Sequence, residues 1–228
     1  MDPSVKTSML EYYNVHADDY DRVYSGHFPG SEVVGADAYP DDTAALHDVV
    51  RRTCTGALLD IPCGTAFWLP AYAAGVSRAL LVDQSPQMLA RARSRAANVG
   101  VHSKFTFFEG DILSHAWHPH SFDTLLVAFF LSHTDDVDER AFFQRVIPSL
   151  RRGGRIVILD SIWNAQRALS KPRQAVIQRS STDGRRFDVY KRYFDAQDIC
   201  QMAARHGLHA TVTYAGRAFI SATAAVVD

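Results

Sequence analysis

Cysteine is scarce in this chain of 228 residues: only Cys54, Cys63 and Cys200 are present. They are widely spaced and form no C-x-x-C pair. That excludes a disulfide framework and a structural zinc motif, and it fits a reducing compartment. An excess of one charge is also missing. The 24 lysines and arginines face 25 aspartates and glutamates, a formal net charge of -1, so no global basic field attracts nucleic acid and no nucleic-acid partner is expected. Long hydrophobic runs are absent too. Residues 125–131 form one of the longest, far too short to span a bilayer. Met1-Asp2-Pro3-Ser4 lacks a basic segment followed by an apolar one, so no signal peptide and no membrane contact are expected, and a cytoplasmic location is. No internal repeat, low-complexity tract or G-x-G-x-x-G run occurs. The last absence argues against a pyrophosphate cradle and a nicotinamide-dependent oxidoreductase.

What the chain does contain is ordinary for a globular protein, with 47% hydrophobic and 21% charged residues,. The length suits one α/β domain with a modest addition. In residues 4–26, Tyr12, Tyr13, His16, Tyr20 and Tyr24 recur at helical spacing and predict a helix. Residues 28–42 hold Pro29, Gly30, Gly35 and Pro40 and read as a loop or hinge. A second helix is expected over 43–52, capped by Asp42 or Thr43. Short apolar strands are expected at 57–61, 79–83, 105–108, 122–130 and 155–159, with helices between them, notably 86–96 and 141–150. That alternation means β-α-β units and a parallel sheet, and near-continuous apolar strands mean that both faces are covered. Beyond Asp160 the alternation stops. Residues 162–180 look helical but are interrupted by Pro172. Residues 186–194 alternate like a strand, 195–206 read as a helix ended by Gly207, and 209–214 and 219–227 read as two more strands around Gly216. The expected fold is α/β: a Rossmann-like, doubly wound, mostly parallel seven-stranded sheet with an antiparallel C-terminal hairpin and an N-terminal helical lid.

Ligands of such sheets bind at the carboxyl ends of the strands. Four loops there carry polar or aromatic groups. Asp60-Ile61-Pro62-Cys63-Gly64-Thr65-Ala66 places a glycine where backbone can approach a ligand, or makes an ordinary tight turn. Asp83 ends the second strand, where a carboxylate can accept both hydroxyls of a ribose or cap the following helix. Asp111, in Glu109-Gly110-Asp111-Ile112, can accept from the amino group of an adenine or bond its own turn. Phe129-Phe130-Leu131-Ser132-His133 follows the fourth strand.

Residues 58–65 resemble the first motif of class I methyltransferases dependent on S-adenosylmethionine (SAM). Leu81-Val82-Asp83-Gln84-Ser85-Pro86-Gln87-Met88-Leu89 resembles the second. Glu109-Gly110-Asp111-Ile112 is similar to the adenine-binding segment, and Leu150-Arg151-Arg152-Gly153-Gly154-Arg155 to the turn before the fifth strand. The resemblance implies one domain over residues 1–228: a lid helix and hinge in 1–42, a SAM-binding core in 43–160, and an acceptor-side segment with the closing hairpin in 161–228. It implies that Asp60 and Gly64 border the methionine portion of SAM and that Asp83 holds the ribose diol, with Gln84 beside it. Met88 would pack near the adenine, and Asp111 and the Ile112 backbone would read its edge. Phe129 would sit beside the adenosine or sulfonium, and Tyr13 and Tyr20 would form the lid. The chain departs from the family pattern at Pro62 and Ala66, where glycine is common, and at His16, where the lid often has arginine.

The implied activity is transfer of a methyl group to oxygen or nitrogen of a small-molecule acceptor, possible in specialised metabolism. The alternatives are a C-methyltransferase and a SAM-fold protein that binds SAM or its product without transfer. His133 is the candidate general base, since an imidazole titrates near neutrality; the competing reading has it bonding Asp135 or Asp136. His115, His118 and His120 cluster but lack a completing ligand, so no metal site is expected. Arg185-Arg186 and Lys191-Arg192 either steer an anionic substrate or form the exposed face of a strand, the latter being the stronger expectation. Tyr190, Tyr193 and Phe194 line an acceptor pocket or pack the core.

Overall fold

The computed structural model describes residues 1–100, 102–181 and 183–226. Helix α1, Pro3–His16, starts under an Asp2 cap that accepts from the Ser4 amide, with a proline in its first turn,. It has no fully buried residue. The expected continuation to Gly26 is broken: a 3-10 turn at Tyr20–Ser25 follows instead. Helix α2, Ala38–Thr53, begins before the expected cap, because Pro40 fits the first turn of a helix,. Asp42 is therefore not a cap but a buried residue inside α2. It accepts from the amides of Ala218 and Phe219 at 2.7 and 2.9 Å and from the Tyr214 hydroxyl at 2.7 Å. A Cβ on Gly216 would lie 2.2 Å from that carboxylate, so only glycine admits this approach.

Strand β1 (Gly56–Asp60), short helix α3 (Leu69–Tyr72), strand β2 (Val76–Asp83), helix α4 (Pro86–Val99), strand β3 (Phe105–Glu109), strand β4 (Phe122–Ala128), helix α5 (Asp136–Val146) and strand β5 (Leu150–Ser161) form the alternating core. After α6 (Ala165–Ala168), β6 (Gln174–Ser180), β7 (Arg186–Arg192) and α7 (Ala196–Arg205), the chain closes with β8 (Leu208–Ala215) and β9 (Phe219–Val226). The sheet order is β3-β2-β1-β4-β5-β9-β8. The first five strands are parallel, and β9 pairs antiparallel with both β5 and β8. The seven-stranded sheet and its closing hairpin are as expected, except that Val227 lies outside the described residues. Successive β1 residues serve opposite faces. Leu58 packs with Leu46, Leu69 and Leu89, and Leu59 with Phe142, Phe143 and Met202. Each is fully buried and contributes roughly 1.5–3 kcal/mol.

Residues 162–180 are not a broken helix. Only Ala165–Ala168 is helical, and Gln174–Ser180 is a strand with alternate residues half-buried and exposed. It pairs antiparallel with β7, from Gln174↔Arg192 to Ser180↔Arg186, as a separate two-stranded sheet. The strand expected at 186–194 therefore belongs to this outlying hairpin, and its inward face, Phe187, Val189 and Lys191, is buried. Helix α1 lies against it. The Ser8 hydroxyl accepts from the Asp188 amide at 2.8 Å, and the rings of Tyr12 and Phe187 meet edge to face at 5.9 Å. Among the described residues no helix is long and apolar enough to cross a membrane.

Candidate active site

Nucleotide folds bind at the point where strand order reverses, here between β1 and β4,. A cavity of about 420 Å³ occupies that position. Its walls are residues 62–65 after β1, 83–85 after β2, 111–114 after β3, and 128–130 with His133 after β4. Tyr13 on α1 and Tyr20 and Tyr24 on the following turn close it.

Asp83 anchors the floor. Its carboxylate accepts from the Gly64 amide at 2.8 Å and the Ser85 amide at 2.9 Å. Burial pushes the acid up to about 6, with the two backbone bonds opposing, so it is mostly ionised at neutral pH and keeps acceptor capacity. It does not cap α4. Ser85 does, accepting from the Met88 amide at 3.1 Å and donating to Asn14 on α1 at 2.5 Å. A Cβ built on Gly64 meets nothing within 4 Å. Asp60 stands apart from the cavity wall, 2% exposed, accepting from the Tyr72 hydroxyl at 2.8 Å. Burial, reinforced by the charge of Asp83, raises it to about 7. Asp111 accepts from the Leu113 amide at 2.9 Å and borders the cavity with Ile112.

Strand β4 ends at Ala128, two residues short of its expected end, because Phe129 turns to φ +55°, a conformation disfavoured for a bulky residue. The Phe129 amide still donates to the Leu159 carbonyl at 2.7 Å. Its ring lies parallel to Trp68 at 6.1 Å and edge-on to Phe219 at 4.7 Å and Tyr24 at 5.4 Å. Tyr24 in turn stacks on Phe67 at 4.0 Å. The lid is tied down by polar contacts. Thr65 donates to Asp21 at 2.6 Å, and Arg95 reaches Asp21 at 2.5 Å and the Thr65 carbonyl at 3.0 Å. Arg91 reaches Asp18 at 2.8 Å.

His133 Nδ1 lies 2.7 Å from the Tyr190 carbonyl, not near Asp135 or Asp136. A carbonyl only accepts, so Nδ1 carries the proton and Nε2 the lone pair. Burial, with the charges of Lys191 and Arg179, holds the imidazole well below its usual value. It is neutral at physiological pH. The Tyr13 ring sits edge-on to it at 5.7 Å.

Two arginine–lysine expectations separate. Arg185 and Arg186 are exposed, but Lys191 and Arg192 are buried, contrary to the exposed-face reading. The Arg192 guanidinium donates to the Leu131 carbonyl, Thr134 and Glu139 at 3.0, 3.1 and 2.6 Å. Lys191 donates to Ser132 at 2.7 Å and Ser161 at 2.9 Å, and burial brings its ammonium down to about 7. Both cations brace the loop that carries His133. Tyr190, Tyr193 and Phe194 do not line the cavity: Phe194 is core, and Tyr190 acts through its carbonyl. His115 packs between Phe108 and Trp117. Among the described residues no group of three or more His, Cys, Asp or Glu side chains is placed to hold a metal ion.

Comparison with known proteins bears on this geometry. A model of the methyltransferase domain family matches residues 58–154. An uncharacterized methyltransferase of Bacillus cereus is 24% identical over 202 residues, covering 88% of this chain and 92% of that protein. The structure of a DhpI–SAM–HEP complex superposes with a TM-score of 0.79 at 22% identity, covering 99% of both chains. That of the glycopeptide N-methyltransferase MtfA complexed with sinefungin gives 0.62 at 18%, covering 81% of this chain and 86% of MtfA. Residues 58–154 are thus similar to the methyltransferase domain family, and the fold as a whole to that of the DhpI and MtfA structures.

The cavity suits SAM on its own terms. It offers an ionised carboxylate with spare lone pairs, an open face at Gly64, an aromatic wall and a second acid at Asp111. Of the positions expected for the cofactor, Tyr13, Tyr20, Gly64, Asp83, Gln84, Met88, Asp111, Ile112 and Phe129 gather around one cavity with His133, while Asp60 stands outside its wall. Sequence reasoning missed Tyr24, Phe67 and Trp68. Phe67 and Trp68 showed only as an aromatic pair directly after the glycine loop, and Tyr24 only through its helical spacing, and each reads equally as core.

Proposed function

We propose that this enzyme transfers the methyl group of SAM to an oxygen or nitrogen of a small molecule. The carrying observation is that a neutral His133, with its Nε2 lone pair free, lines the same cavity as the ionised Asp83. A cavity of about 420 Å³ under a helical lid is of small-molecule size. In this reading residues 1–42 are the lid and hinge, 43–160 hold the cofactor and 161–228 face the acceptor. Asp83 accepts the ribose hydroxyls, with Gln84 beside them. Met88 and Ile112 flank the base and Asp111 takes its amino group. Phe129 lies beside the sulfonium, and Gly64 with Asp60 behind it shapes the methionine end.

SAM, when bound, supplies a sulfonium methyl group. Its chemistry would be displacement at that carbon by the acceptor's lone pair with the thioether as leaving group, and His133 Nε2 would take the acceptor's proton. The Tyr190 carbonyl fixes the tautomer that makes this possible. Tyr13 and Tyr20 exclude water, and positioning alone supplies on the order of 7–11 kcal/mol in favourable cases.

Calorimetric titration of SAM and S-adenosylhomocysteine tests the reading. The wild type should bind both, and Asp83→Ala should weaken both at least tenfold, since two hydrogen bonds to a charged group are worth roughly 1.5–3 kcal/mol each. Absence of binding to a folded wild type overturns it. His133→Gln should leave cofactor affinity within a few-fold and lower kcat by roughly 10²–10⁴. A kcat near wild type removes His133 as the base.

A further inference from the structure

The outlying hairpin presents two cations to the interior: Arg179 from β6 and Lys191 from β7 stand on its inward face. Arg179 is half-buried. Among the described residues its guanidinium makes one hydrogen bond, Nη1 to the Tyr12 hydroxyl at 3.1 Å, and it lies over the same ring at 5.3 Å. No carboxylate of those residues stands within ion-pair distance of it. Lys191 meets Asp160 only at 3.9 Å, and that carboxylate is already taken by the amides of Ser132 and Ser161 at 2.9 and 2.7 Å. By contrast Arg192, on the same strand, is matched by Glu139 at 2.6 Å. A third cation, Arg167, acts on Lys191 through its charge. It is 5% exposed, and its Nε has no partner among the described residues.

A desolvated guanidinium without a counter-charge, as at Arg179, is costly, and a fold keeps one where a ligand completes the pair. The guanidinium fork matches the two oxygens of a carboxylate or phosphate. Arg179 and Lys191 lie outside the lining of the cavity but close enough to His133 to act on it through their charge. Tyr12 belongs to the lid beside Tyr13, and the Tyr190 carbonyl that orients His133 precedes Lys191. Resting on the methyl-transfer reading of the cavity, we propose that Arg179, with Lys191, binds an oxyanion on the acceptor, so that the enzyme methylates a small anionic molecule whose nucleophile lies at His133. The shared chemistry is an oxyanion; carboxylate and tetrahedral phosphate-type groups are its two sources.

The test uses the full chain saturated with S-adenosylhomocysteine. Inorganic phosphate and acetate are titrated separately at constant ionic strength against chloride, with thermal stability as readout. At least one anion should raise Tm saturably. Phosphate alone assigns a tetrahedral group, and acetate alone a carboxylate. Arg179→Met should weaken that apparent affinity tenfold or more while S-adenosylhomocysteine affinity stays within threefold. Arg179→Lys, which keeps the charge but not the fork and preserves folding if the methionine variant does not, should weaken it several-fold. No anion response in the wild type, or an unchanged response in Arg179→Lys, overturns the proposal. So does a tenfold loss of S-adenosylhomocysteine affinity in Arg179→Met with the anion response intact, because the guanidinium then serves the cofactor's own carboxylate. The same titrations without S-adenosylhomocysteine, beside its own binding curve, separate failure of this inference from failure of the methyltransferase reading.

Discussion

Asp60 and Asp83, at the ends of the neighbouring strands β1 and β2, are two acids with different work. Asp83 is held by two amides at the cavity edge, while Asp60 has one phenol for company and is almost sealed from water. The raised acid at Asp60 has a stability consequence. Its folded-state value of about 7 exceeds an unfolded value of about 3.9. The native state therefore binds more protons between those limits, and stability falls as pH rises through that window. Asp60→Asn keeps an oxygen for Tyr72 and removes the charge. It should be more stable than wild type by about 1–3 kcal/mol at pH 8, with the gap shrinking towards pH 5, as urea unfolding would show. A variant less stable at both values would contradict this. Asp83, Gly64 and Asp111 were legible because loop position fixes what such residues can reach. Lys191 and Arg192 were not, because a charged pair in an alternating strand looks solvated until a carboxylate or hydroxyl from a distant segment appears beside it.

At the scale of elements, the lid depends on few contacts. Helix α1 buries no residue completely; Asn14, with Asp18 and Asp21 of the segment that follows it, meets α4 and the β1 loop, and Ser8 and Tyr12 meet the outlying hairpin. The Arg95–Asp21 pair is partly exposed, with side-chain exposures of 25% and 35%, and such pairs are worth about 0.2–1 kcal/mol. Asp21→Asn should accordingly raise KM for SAM about two- to fivefold with little change in kcat. Equal loss in both constants would place Asp21 in the chemistry instead. The helix itself was readable from its tyrosine spacing, but its end was not. After His16, Ala17-Asp18-Asp19 leads into a 3-10 turn at Tyr20–Ser25, and helical periodicity does not report that. Strand β6 was hidden for a different reason. Gln174, Ala175, Val176, Ile177 and Gln178 alternate only weakly, and the partner that makes them a strand begins eight residues further on.

Across the whole molecule, one buried carboxylate joins three elements. Glu139 on α5 is 2% exposed and meets Arg192 of β7 at 2.6 Å, Arg205 of α7 at 2.9 Å and His206 at 3.0 Å. Hydrogen bonds from Arg205, His206 and Arg192, with the charge of Arg192, hold Glu139 below its usual carboxylate range despite burial. Glu139→Leu would leave buried Arg192 with only the exposed Asp136, at 3.3 Å, as counter-charge, a loss of about 3–5 kcal/mol, and Tm should fall by roughly 10 °C. A fall under 2 °C would mean that Arg192 finds Asp136 or water instead. The alternation of strands and helices made the architecture readable from the chain, since apolar runs separated by helices admit few arrangements. The placement of the β6–β7 hairpin across α1 was not readable, because it rests on contacts between residues more than 160 positions apart.

That placement couples two traffic routes. Helix α1, with its 14 residues, touches the cofactor side through Asn14 and the acceptor side through Ser8 and Tyr12. One door therefore serves both ligands. On the proposed function, spent cofactor would leave by the same swing that admits the next acceptor, so the drag of solvent on a short helix would enter the turnover time and the two ligands would exchange in step.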